Sequence, residues 1–135
     1  MAASLQSLQQ LLDTILRPEK FEDYCPNGLQ VEGKADVARL ITGVTASQAL
    51  LDAAVDMNAD AVMVHHGYFW RGENAQIVGI KRKRIATLIE NNISLFAYHL
   101  PLDAHPVFGN NARLAELLGI ETLGGLFGNI ESSVG

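Results

Sequence analysis

The chain has one cysteine, Cys25, among 135 residues. No disulfide can close within it, and the composition fits a reducing compartment, the cytosol. No apolar run approaches the roughly 18 residues that a membrane-spanning helix needs. The opening residues, Met1 to Lys20, have no basic stretch before their apolar part and no plain cleavage site, which argues against a secretory signal. Charge is also scarce: 19% of residues are charged, against about 25% in an average soluble protein. The balance is acidic, with a net charge of −5, so a general nucleic-acid binder is not expected. The sequence lacks Gly-x-x-x-x-Gly-Lys-Ser/Thr and Gly-x-Gly-x-x-Gly, the standard phosphate loops, and the Gly-x-Ser-x-Gly elbow of serine hydrolases. No internal repeat or low-complexity run occurs.

What is present is apolar. At 48% hydrophobic residues the chain can fill a core, and its length suits one domain, residues 1–135. So few charges beside so much apolar surface suggest that part of the surface is covered, for instance by another subunit. Leu5, Leu8, Leu11, Leu12, Ile15 and Leu16 recur in steps of three and four, marking a helix that Ser4 caps and Pro18 stops. Cys25-Pro26-Asn27-Gly28 is turn chemistry. The chain then alternates. Val37–Val44 reads as a buried strand, followed by a helix that Thr45 or Ser47 caps, with Leu50, Leu51, Ala54 and Val55 inward. Ala61–Val64 reads as a second strand and Lys81–Asn92 as a helix with Ile85, Leu88 and Ile89 inward. Ile93–Tyr98 reads as a third strand. Asn110 or Asn111 caps a last helix with Leu114, Leu117 and Leu118 inward and Gly119 at its stop. Strands separated by helices imply crossover connections, so the fold class is α/β, with a largely parallel sheet and helices on both faces. The tail from Glu121 to Gly135 is broken by Gly124, Gly125 and Gly128 and ends in a loop at Ser132–Gly135, as if the chain stopped within a fold.

All four histidines fall at two strand ends. His65 and His66 close the second strand; His99 and His105 flank Asp103 just past the third. Ligands of open parallel sheets bind outside the carboxyl ends of the strands, so neighbouring strands would bring both clusters to one cleft. Adjacent strand residues point to opposite faces, but at a strand end both rings can reach the rim and each can take its own ion. Gly67 leaves room there, and Asp103 offers an oxygen that bridges or ligates terminally. Imidazole with carboxylate suits zinc, iron, manganese or nickel. The competing reading is four hydrogen-bonded structural histidines. Pro101 between His99 and Asp103 argues for an extended loop rather than a helical ligand pair. Other features carry less. Lys81-Arg82-Lys83-Arg84 is a solvated helix start or a contact to a substrate phosphate or nucleic acid, Cys25 has no histidine near it in sequence to activate it, and Tyr68-Phe69-Trp70 serves either for stacking on a heterocycle or as a packing or subunit-contact patch.

Five segments occur in one order: Pro26-Asn27-Gly28-Leu29-Gln30-Val31-Glu32-Gly33, Thr42-Gly43-Val44-Thr45, Val64-His65-His66-Gly67-Tyr68-Phe69-Trp70, His99-Leu100-Pro101-Leu102-Asp103-Ala104-His105 and Gly109-Asn110-Asn111. Together they resemble the Nif-three-like family, also called GTP cyclohydrolase I type two homologues, and most nearly its short bacterial members without an inserted middle domain. The resemblance runs from about Phe21 to Ile120. It implies an α/β protein that assembles as a hexameric ring of identical chains, with two divalent metal ions in a cleft facing an inner cavity. It places metal ligands at His65, His66 and Asp103, puts His99 in the pocket as a candidate catalytic or supporting residue, and leaves His105 a weak candidate. The implied activity is metal-dependent hydrolysis of a nucleotide or purine-like substrate; the alternative is a metal-binding, ring-forming assembly protein without turnover. The family's remaining ligands, a His-x-x-x-Glu pair, lie in the second half of its members. This sequence has no such pair, so the resemblance covers the first half only.

Overall fold

The computed structural model describes residues 1–125; Gly128 and the expected loop at Ser132–Gly135 lie outside the described residues. The elements in chain order are β1 (Ala3–Ser4), α1 (Leu5–Leu16), a 3-10 turn (Pro18–Lys20), β2 (Gly28–Val31), β3 (Asp36–Val37), β4 (Leu40–Thr45), α2 (Gln48–Asp56), β5 (Ala61–His66), α3 (Gly79–Glu90), β6 (Ser94–Ala97), α4 (Leu100–Ala104) and α5 (Asn110–Leu118). The main sheet has the order β2-β6-β5-β4. β4, β5 and β6 run parallel, and β2 joins β6 antiparallel. β1 and β3 form a separate two-stranded pair.

Strand alternation sorts the sheet residues into two cores. Val62 and Val64 of β5, with Leu95 and Ala97 of β6, pack under α2 and α3 against Leu51, Ala54, Ile85 and Leu88. Ala61 and Met63, with Phe96 and Tyr98, face Leu5, Leu8, Leu12 and Leu16 of α1 and Leu102 of α4. Helices therefore cover both faces. β6 lies between two strands, and all four of its residues are buried. Its Ser94 is buried without cost because its hydroxyl accepts the Gly33 amide at 2.9 Å.

Several local expectations hold. Ser4 caps α1 and Ser47 caps α2, each accepting an amide of the first turn. Gly119 ends α5 with φ of +67°, a conformation that costs glycine little. Others need correction. The strand expected over Val37–Val44 is two, β3 and β4, and β4 is not buried. It is the sheet edge, with Val44 70% exposed. Ile89 of α3 faces outward, as do Leu114, Leu117 and Leu118 of α5. Neither asparagine caps α5: Gly109 holds that place, and Asn110 is the first helical residue. β2 was not anticipated as a strand, because its residues follow turn chemistry and occupy only four positions. Lastly, His99 and Asp103 are not on an extended loop. Pro101 sits in the first turn of α4, where its missing N–H would have had no helical partner, and the amides of Leu102 and Asp103 both donate to the His99 carbonyl.

Candidate metal centre

β5 and β6 are parallel neighbours, so their carboxyl ends, and the two histidine clusters with them, come to one rim. The His65 and His66 rings lie 4.4 Å apart between centroids, and His99 lies 4.9 Å from His65 and 5.7 Å from His66. One ring nitrogen from each of the three lies within 4.8 Å of the others. Asp103, on α4, places Oδ1 3.5 Å from His65 Nε2. The same oxygen accepts from Asn110 Nδ2 at 2.8 Å, which ties the carboxylate to the start of α5. All three rings are half-buried.

Each ring engages the scaffold through Nδ1. His65 Nδ1 meets the Tyr98 carbonyl at 3.2 Å, His66 Nδ1 meets Thr45 Oγ1 at 3.3 Å, and His99 Nδ1 meets Asp23 Oδ1 at 2.7 Å. With Nδ1 engaged, Nε2 is the nitrogen each histidine has left to offer. This is the pattern by which outer partners orient imidazole ligands. Burial lowers the His66 pKa, and the neighbouring His65 and His99 rings lower it further, against an opposing pull from Asp103. The neutral form that carries a lone pair is therefore favoured there.

Gly67 follows the pair for a packing reason. A Cβ at this position would lie 2.2 Å from Gln30 Oε1 and 2.6 Å from the Ala97 Cβ. Gln30 of β2 reaches across to clamp the next peptide: Oε1 accepts the Tyr68 amide at 2.7 Å, and Nε2 donates to the Tyr68 carbonyl at 3.0 Å. The three aromatic residues divide their roles. Tyr68 is buried, its hydroxyl donating to the Ala46 carbonyl at 2.7 Å. Phe69 packs on the core. Trp70 stands edge-on to His99, centroids 4.9 Å apart, and 6.0 Å from His66.

His105 stands apart from the cluster. Its Nδ1 accepts the amides of Val107 and Phe108, and its ring stacks on Phe108, so it shapes the turn before α5. In the basic run, Lys81 pairs with Glu73 at 2.6 Å, and the Nε of Arg84 is buried without a partner among the described residues. Cys25 lies close to His99 and Asp23, with one donor atom from each of the three within 4.8 Å. Burial and the Asp23 charge push its thiol up to about 11, so it carries almost no thiolate at neutral pH.

Sequence reasoning missed Asp23. Its side chain is 2% exposed, and its oxygens accept from His99 Nδ1, Tyr24 N, Asn27 Nδ2 and Leu100 N. Burial works to raise its pKa, but the hydrogen bonds, led by His99, outweigh that and hold it below the ordinary value. The one available signal was Pro26-Asn27-Gly28 shortly after it, since Asn27 Oδ1 also accepts the His99 amide at 2.7 Å.

Among known proteins, the family model of Duf34/NIF3 (NGG1p interacting factor 3) matches residues 3–129. A "GTP cyclohydrolase 1 type 2 homolog" of Pseudomonas aeruginosa is 59% identical over 126 residues, which are 93% of this chain and 50% of that protein. The protein of the same name from Escherichia coli K12 is 61% identical over 117 residues, 87% of this chain and 47% of that one. The chain thus spans about half the length of the curated relatives it matches. Of solved structures, protein ybgI superposes with a TM-score of 0.89 at 58% identity, covering 91% of this chain and 50% of that one. TTHA1606 from Thermus thermophilus gives 0.85 at 42% identity, covering 91% and 51%.

Proposed function

This chain belongs to the Duf34/NIF3 family, and from that premise we propose that the intact protein is a metal-dependent hydrolase. Its site would hold two divalent ions and act on a nucleotide or purine-like substrate. The observation that supports this best is the convergence of His65, His66 and His99, each with Nδ1 engaged and Nε2 left over, beside the carboxylate of Asp103. Imidazole and carboxylate donors fit zinc, iron, manganese or nickel. The substrate class is drawn from the relatives' name, GTP cyclohydrolase 1 type 2 homolog.

His65 and His66 would each hold one ion, and Asp103, steadied by Asn110, would bridge them or hold one. These donors fall short of the four or so that each ion needs. The remainder would come from a His-x-x-x-Glu in the part of the relatives that this chain does not span. Two bound divalent ions supply Lewis acidity and lower the pKa of water toward neutrality. His99 is placed to move a proton to or from the reacting group through Nε2. Trp70 offers an aromatic surface beside it. Assembly as a hexameric ring in the cytosol completes the proposal.

The test is metal content after gel filtration, by elemental analysis, alongside hydrolysis of a nucleotide panel by the full-length protein. The expected result is about two ions per chain and turnover that His65→Ala and Asp103→Ala both abolish. Unchanged metal content and turnover in both variants would sink the reading. Metal held tightly with no turnover would favour a ring-forming, metal-binding assembly protein, a reading that the exposed leucines of α5 also support.

A further inference from the structure

His99 is held more firmly than the other two histidines, and by different chemistry. The partner of His65 is a backbone carbonyl at 3.2 Å, and that of His66 is a hydroxyl at 3.3 Å, which can donate or accept. The partner of His99 is a carboxylate at 2.7 Å, removed from water. The backbone on either side is fixed by the same loop: the His99 amide donates to Asn27 Oδ1, and the Leu100 amide donates to Asp23 Oδ2. Asn27 Nδ2 donates to Asp23 Oδ2 as well, which closes the loop on itself. A buried charge survives only when its oxygens are satisfied, and here both oxygens are. An ionised carboxylate can only accept, so a neutral His99 must carry its proton on Nδ1 and its lone pair on Nε2.

We propose that Asp23 is a positioning residue: it locks His99 in the Nδ1–H tautomer, so that Nε2 presents a lone pair to a proton or a divalent cation beside the His65–His66 pair. The nature of that occupant rests on the function proposed above; the tautomer does not. Asp23 would act only through His99, and Trp70 standing edge-on would limit rotation of the ring.

The experiment reads the tautomer directly, in long-range proton–nitrogen correlation spectra of the 15N-labelled chain at a pH where its histidines are neutral. The expected wild-type signal for His99 is protonated Nδ1 and unprotonated Nε2. Asp23→Asn keeps the size of the side chain but removes the charge and puts a donor on it. It is expected to abolish the exclusive Nδ1–H form and to weaken Zn2+ binding by about 10- to 100-fold. Protonated Nε2 in the wild type overturns the proposal even if the variant fails to fold. An unchanged Nδ1–H form in a folded Asp23→Asn chain overturns it as well. A wild type with the expected tautomer upholds the lock even where the full-length protein binds no Zn2+, an outcome that counts against the metal reading instead.

Discussion

The β5–β6 strands and helix α5 are both rich in apolar residues, yet one is sealed and the other is bare. Every residue of β6 is buried, and the three histidines at the rim are each held through Nδ1. Helix α5 buries none of its residues. It packs chiefly on the short α4, and Leu114, Leu117 and Leu118 are 56%, 81% and 63% exposed. Periodicity therefore marks which side of an element is apolar, but not what meets that side. β6 lies between two strands and beneath helices on both faces, and so its apolar residues are used. The leucines of α5 meet no such layer among the described residues.

This contrast can be broken by substitution. Phe96→Ala should cost most, about 3–5 kcal/mol of unfolding free energy in urea titration, because the ring is fully buried between the sheet and α1 and leaves a cavity. A cost below about 1 kcal/mol would mean that this half is no better packed than α5. Gly67→Ala should come next, at about 1–3 kcal/mol, because the new methyl must displace the Gln30 carboxamide or the Ala97 side chain. An unchanged melting temperature would show that the Gln30 clamp yields freely and does not hold the turn after His66.

The sequence was most legible where one segment carries its own signal. Short apolar runs between helices gave β5 and β6, serine caps gave the starts of α1 and α2, and the clustering of histidines at strand ends gave His65, His66 and His99 a common rim. It was least legible where the deciding partner is distant in sequence. β2 is a strand because it pairs with β6, about 65 residues away along the chain. Asp23 matters because the fold carries it to His99 across 76 positions; the turn chemistry of Pro26-Asn27-Gly28 just after it is a signal for the loop, and it does not single out Asp23 as a buried carboxylate. Pro101 misled for another reason. Proline forbids a helix interior, but α4 is a single turn, and its first turn is where proline is tolerated.

The smallest expected effect is the sharpest probe of the comparison. Leu117→Ala should change stability by less than about 0.5 kcal/mol, because the side chain is 81% exposed and alanine is at least as good a helix former. Leu88→Ala, one fully buried methyl-rich side chain on α3, should cost about 2–5 kcal/mol under the same conditions. Chemical denaturation of both variants at two protein concentrations separates the possibilities. A near-zero cost at Leu117 at both concentrations means that the α5 face stands in water. A cost approaching that of Leu88, and growing with concentration, means that a second copy of the chain covers the face in solution, since only association makes the stability of a folded chain depend on its own concentration.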